Sequence, residues 1–208
     1  ARIVLPHSKS VANRALILAA LANDLDGIGE VGEADDVRVL QALLRARPPV
    51  MHCGAGGTTF RFLLAWACTL QGEEHVITGE ARLLERPHGD LVKVLQELGA
   101  DIERTWEGDR VRGRSMAGGT IMLDSPASSQ FISALLMVAP CFTGGLRLHW
   151  TGRRLSGPYV RMTVAMLRER GMAVQEEGDA IIVLPGVPKA HAAEIPRDWS
   201  AASFWFEM

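Results

Sequence analysis

A chain of 208 residues, 48% hydrophobic and 22% charged, is long enough to bury a sizeable core and has the composition of a soluble globular protein. A formal net charge of −2 gives no bias toward nucleic acid or an anionic membrane surface, and no apolar run reaches the length of a membrane span. The three cysteines lack C-x-x-C spacing and the six histidines are scattered, so the sequence predicts reduced thiols (Cys68 and Cys141 as small core residues), no metal site and, with no signal-peptide layout, a cytoplasmic protein.

In chain order, a strand-like run at Arg2-Ile3-Val4-Leu5 leads into "HSKSVANRALILAALA" (7–22), an apolar helix with Lys9 and Arg14 on its first turns. "DDVRVLQALLRA" (35–46) has the apolar spacing of an amphipathic helix. "GGTTFRFLLAWACTL" (56–70) is a second hydroxyl-led apolar helix, followed by the strand "EHVITG". "RLLERPHGDLVKVLQELGADI" (82–102) reads as loop, proline at a helix start, amphipathic helix, terminal glycine and strand. Residues 100–124 look like hairpins with turns at Gly108-Asp109 and Gly118-Gly119. "ASSQFISALLMVAP" (127–140), the strand "LRLHW" and "RRLSGPYVRMTVAMLRERGMAV" (153–174) then repeat the scheme, and Ser200 is placed to cap a last apolar helix in "WSAASFWFEM". Neither end reads as the edge of a folded unit, which implies a piece of a longer protein.

The repetition is internal and regular. Arg82, Leu84, Pro87, Leu91 and Leu95 match Arg153, Leu155, Pro158, Met162 and Met166 at an offset of 71, while Gly99 and Gly171 are 72 apart. Thr58-Thr59 and Ser128-Ser129 match at 70. The chain is therefore read as one α/β domain of three repeats (1–52, 53–124 and 125–195), each with an inner apolar and an outer amphipathic helix. If the inner helices are equivalent, their N-termini converge, and free amides with the positive end of the helix dipole favour a bound anion there. Those tips carry Ser8, Lys9, Ser10 and Arg14; Gly56 to Thr59; and Ser128, Ser129 and Gln130. Singly, each has a plain structural reading as cap, turn or solvated charge. "GAGGTT" is neither a dinucleotide fingerprint nor a Walker A loop. Arg82 and Arg86, four apart before a helix, repel unless an anion lies between them.

"LPHSKSVANRALILAALA", "AGGTTFRFL", "ARLLERPHGDLVKVLQELGA", "SSQFISALLMVAP", "LSGPYVRMT" and "DWSAASFWF" resemble, in order, segments of the EPSP synthase family. The resemblance implies two similar domains, each of three βαβαββ units, of which this chain is the N-terminal one, with 196–208 starting the crossover to a C-terminal domain. It implies enolpyruvyl transfer from phosphoenolpyruvate to the 5-hydroxyl of shikimate-3-phosphate in the shikimate pathway, with no organic cofactor or metal and no nucleic-acid or membrane partner. By motif, Ser128, Ser129 and Ser156 resemble the residues that hold the phosphate of shikimate-3-phosphate. Lys9, Ser10, Arg14, Gln130 and Tyr159 resemble the contacts to its ring and carboxylate. Gly57, Arg86, Gln130 and Lys9 match the phosphoenolpyruvate side, where the inhibitor glyphosate also sits, and Lys9 is the candidate catalytic residue. The family's acid and base residues lie in its second domain, so the resemblance implies that this chain alone is inactive.

Three positions depart from the family pattern: Ala55 for Asn, His7 for Gly and Arg161 for an acidic residue. Two other readings are a UDP-N-acetylglucosamine enolpyruvyl transferase, whose reactive Cys is missing from "GEARLLERP", and a non-catalytic anion-binding module.

Overall fold

The computed structural model describes residues 4–126, 128–151 and 157–206, with the side chains of Phe204 and Trp205 left out. Its helices are α1 (Lys9–Leu21), α2 (Asp35–Ala46), α3 (Gly57–Ala67), the single turn α4 (Ala81–Leu84), α5 (Gly89–Glu97), α6 (Ser129–Val138), α7 (Gly157–Glu169) and α8 (Trp199–Phe206). Its strands are β1 (Val50–His52), β2 (Glu74–Thr78), β3 (Asp101–Arg104), β4 (Asp109–Arg112), β5 (Gly119–Leu123), β6 (Leu146–Trp150), β7 (Val174–Glu177) and β8 (Ala180–Val183).

Helices that are apolar all round belong inside. α1 buries every residue from Ala12 to Ala20, α3 buries Phe62 to Ala67, and α6 buries Phe131 to Val138. These three pack on one another and form the centre of the core. The amphipathic helices turn one stripe inward: Val37, Leu40 and Leu44 from α2; Leu91, Val92 and Leu95 from α5; Val160, Thr163, Val164 and Leu167 from α7.

Two four-stranded sheets of identical order, β1-β2-β4-β3 and β5-β6-β8-β7, cover this helical centre. In each, the first pair is parallel and the other pairs antiparallel. Ile77 of β2 faces Asp109 of β4, and His149 of β6 faces Ala180 of β8, which fixes the correspondence between the sheets. Among the described residues α1 and α2 have no sheet of their own.

Several expectations are corrected. Val50–His52 and Gly119–Leu123, read as the ends of the first and second repeats, are the leading strands of the two sheets. A parallel pair needs a crossover, and α3 and α6 are those crossovers, so each sheet starts one strand before its inner helix. Gly118-Gly119 is consequently no hairpin turn but the passage between sheets. Gly118 has φ of +74°, and a Cβ there would lie 2.0 Å from the Gly145 carbonyl oxygen.

Helix caps and burial also set the repeat at 72 throughout the helices. Gly56 and Ser128 are the matching N-caps, so Thr58 corresponds to Gln130 rather than Ser128. The buried stripe Leu91, Val92, Leu95, Leu98 matches Thr163, Val164, Leu167, Arg170, which moves the one-residue slip to the start of the outer helix.

At the chain ends, Asp198 rather than Ser200 caps α8, its Oδ1 accepting from the Ser200 amide at 2.9 Å. Val4 and Leu5 form no strand, and Arg2 and Ile3 lie outside the described residues. His7 instead makes a single antiparallel bridge to Arg197, so the segments flanking α1 and α8 run side by side. Cys141 is exposed, facing out of a short turn after α6 whose neighbours Pro140 and Phe142 are buried; Cys53 and Cys68 are the buried thiols. Burial pushes the Cys53 thiol up to about 12.

Candidate functional site at the tips of the inner helices

The N-terminus of α3 is open because Gly56 and Gly57 offer backbone and no side chain. A Cβ on Gly57 would lie 3.0 Å from Nη1 of Arg86 and 3.2 Å from Nη1 of Arg61, so two guanidiniums meet over this tip. Among the described residues neither makes an ion pair with a carboxylate. Arg61 donates to Oε1 of Gln130 and, at 3.5 Å, to the Pro87 carbonyl, and its guanidinium lies 5.3 Å from the Phe131 ring centroid. Its Nε is buried without a partner. Burial, and then the Arg86 charge, hold its pKa below the usual arginine value.

Gln130 joins the second and third tips: while Oε1 accepts from Arg61, Nε2 donates to Thr58 Oγ1 at 2.8 Å. Its backbone amide donates to Ser128 Oγ at 3.1 Å, the bond of an ordinary cap. Ser128 and Ser129 are both half-buried at this end of α6.

The first tip is organised differently. Ser8 makes no side-chain cap, and Lys9 Nζ stands 3.5 Å from Asp36 Oδ2 at the start of α2. Arg14, 3% exposed, is turned inward. Its Nε donates to Thr163 Oγ1 (2.8 Å), Nη2 to Ser133 Oγ (2.8 Å) and Nη1 to the Ser10 carbonyl (2.8 Å). Its guanidinium lies between the rings of Phe62 and Tyr159, 5.5 and 5.6 Å from their centroids. Burial lowers its pKa to about 10. Arg14 thus ties α1 to α6 and α7, with two of its five N–H groups uncommitted.

A cleft of about 1110 Å³ opens between this tip, the 30–36 segment, the Gly54–Gly56 turn and the residues around Arg197. Of the described residues that the sequence places at the helix tips, Lys9 and Gly56 line it. Gly57, Arg86 and Gln130 gather at the tips of α3 and α6, Tyr159 packs beside Arg14, and Ser156 lies outside the described residues. The structure pairs Arg86 with Arg61, whereas Arg82 is exposed on α4. Sequence reading missed Arg61, although a lone cation inside "TTFRFLLAWA" is the signal that singled out Arg14. It also missed Asp36, Ser133 and Thr163, whose importance depends on which helices become neighbours.

Known proteins are similar to this chain in sequence and in architecture. The family model for EPSP synthase (3-phosphoshikimate 1-carboxyvinyltransferase) matches residues 45–207. A 3-phosphoshikimate 1-carboxyvinyltransferase of Bacteroides fragilis (strain YCH46) is 39% identical over 213 residues, covering 100% of this chain and 52% of the relative. One from Colwellia psychrerythraea is 30% identical, covering 98% and 55%. The solved EPSP synthase of Acinetobacter baumannii superposes with a TM-score of 0.79 at 23% identity, covering 99% of this chain and 52% of that one, a likeness of fold. The chain spans about half the length of these relatives. Among the described residues no helix is long and apolar enough to cross a membrane.

Proposed function

The chain belongs to the EPSP synthase (3-phosphoshikimate 1-carboxyvinyltransferase) family, and from that premise we propose that it is the shikimate-3-phosphate-binding half of an enzyme transferring the enolpyruvyl group of phosphoenolpyruvate to the 5-hydroxyl of shikimate-3-phosphate. The observation that carries this reading is the joining of the α3 and α6 tips through Gln130 beneath two guanidiniums without carboxylate partners. Such a surface suits a dianionic substrate, because helix-end amides and guanidiniums donate to phosphate and carboxylate oxygens.

Ser128 and Ser129, with Ser156 by its motif, take the shikimate phosphate. The Ser128 oxygen accepts from the Gln130 amide, so its own proton can be donated to a phosphate oxygen. Gln130, Tyr159, Lys9 and Ser10 surround the ring, and Arg14 offers its two uncommitted N–H groups to the ring carboxylate. Phosphoenolpyruvate lies against Gly57, where a side chain would press on Arg86 and Arg61, and Lys9 adds its charge from α1. Glyphosate would compete for the same space.

In the reaction the hydroxyl oxygen gives up its proton and bonds to the central carbon of phosphoenolpyruvate while the methylene gains a proton; the methyl group so formed then loses a proton as the carbon–oxygen bond to phosphate breaks, which restores the double bond and releases phosphate. Groups that protonate the methylene and take the hydroxyl proton must be positioned at the reacting atoms. Asp36 at the first tip is held by Lys9, and the resemblance places the acid and base groups in the second domain. On this reading turnover requires the other half of the enzyme. The chain alone, given both substrates, is expected to release no phosphate, and adding the remaining half is expected to start turnover; release by the 208-residue chain alone would contradict the reading.

A further inference from the structure

We propose that His88 is a positioning residue for Arg86, holding the Arg86–His88 turn so that the arginine stays over the α3 tip. The inference rests on the anion-binding reading of that tip.

Arg61 and Arg86 converge on one point above Gly57. Like charges this close repel, and the partial burial of Arg61 leaves that repulsion incompletely screened. Without an anchor on the α5 side of the turn, Arg86, exposed between α4 and α5, would swing outward. The Arg86 amide donates to the Leu83 carbonyl at 3.1 Å, and His88 supplies the anchor on the carbonyl side. The ring is 4% exposed, and its Nδ1 lies 2.8 Å from the Arg86 carbonyl oxygen. A carbonyl only accepts, so Nδ1 carries the proton and donates.

The ring is itself fixed on its other sides. Its Nε2 lies 3.1 Å from Asp109 Oδ2, a buried oxygen with no hydrogen bond of its own, and 3.1 Å from Arg104 Nη2. Asp109, 2% exposed, is held on its other oxygen by Arg104 Nε at 3.2 Å. The ring also meets Phe60 at a centroid distance of 4.8 Å. Phe60 is on α3, one residue before Arg61, and Asp109 starts β4. His88 therefore ties the Arg86 turn to the helix whose tip Arg86 covers and to the sheet behind it. A burial role alone would be met by any apolar side chain; the bond to the Arg86 carbonyl would not.

The test compares the 208-residue chain with His88→Leu, which keeps apolar packing, and His88→Asn, whose amide can donate where Nδ1 does. Hydrogen exchange of the peptide spanning residues 81–90 should rise in His88→Leu and return toward wild type in His88→Asn. In calorimetric titrations phosphoenolpyruvate should bind about tenfold more weakly to His88→Leu, with shikimate-3-phosphate unchanged. Unchanged exchange in His88→Leu, or no rescue by His88→Asn, overturns the proposal whatever the ligands do. Equal loss of both ligands also overturns it, because it marks a general structural role. A wild-type chain that binds neither ligand, with the exchange pattern as expected, removes the functional reading and leaves His88 as the anchor of Arg86.

Discussion

The two sheets share strand order and register, yet the space between sheet and outer helix is filled in opposite ways. In the first, His88 and Asp109 are buried as a polar pair, with Arg104 closing over the carboxylate. In the second, the matching positions are Val160, eleven residues before Gly171 as His88 is before Gly99, and Ala180, which faces His149 as Asp109 faces Ile77. Glu177 stands in the ladder where Arg104 does. A cleft of about 520 Å³ lies there, lined by Trp150, Val160, Val164, Ala180 and Ile181 among others. Topology thus leaves the chemistry of this space free. The unit with a buried polar pair in this space is the one whose outer helix follows Arg86, which is where the proposed anchor of that turn lies.

Transplanting the carboxylate should have the largest effect. Ala180→Asp places a charge at a position 1% exposed, beside Glu177 and with Val160 rather than a histidine on the outer helix, and is expected to cost about 3 kcal/mol in urea unfolding. A loss near zero would mean that the cleft solvates the charge and that the two spaces differ less than their residues do. Asp109→Ala, the reverse change, should cost about 2 kcal/mol, since Arg104 can turn to water but His88 cannot. The double variant His88→Val/Asp109→Ala, which copies the second unit, should lose less than the two single variants combined, read from the same unfolding curves. Strict additivity would show that the pair is not coupled.

At the tips the contrast is between a sealed and an open helix end. Ser128→Ala removes a working cap and should cost about 1 kcal/mol of thermal stability. Gly57→Ala should change stability by less than about 0.5 kcal/mol, because the new methyl meets only the movable ends of Arg86 and Arg61. Its effect should appear instead as weaker phosphoenolpyruvate binding in a titration. A large stability loss would mean that the two arginines are locked rather than poised.

Much of this was legible in the sequence, for identifiable reasons. Apolar runs long enough to be helices, such as "FLLAWA" and "FISALLMVAP", report burial directly, and Gly99 and Gly171 mark helix ends. What failed was correspondence by residue type. Thr58-Thr59 and Ser128-Ser129 look alike, but caps and burial align Thr58 with Gln130, and those two side chains then turn out to touch. Sheet membership of β1 and β5 was hidden because strand pairing is long-range and three to five residues carry little pattern. The sequence places Arg14 at the mouth of the site without saying what holds it there. Its inward bonds to Ser133 and Thr163 depend on the packing of α1 against α6 and α7, which local sequence does not encode.

The most direct test of the central claim is calorimetric titration of the chain with shikimate-3-phosphate, beside Ser128→Ala/Ser129→Ala checked for folding by circular dichroism. The account predicts binding by the wild-type chain that disappears in the folded double variant, placing the phosphate at the α6 tip. Undiminished binding by that variant would contradict it.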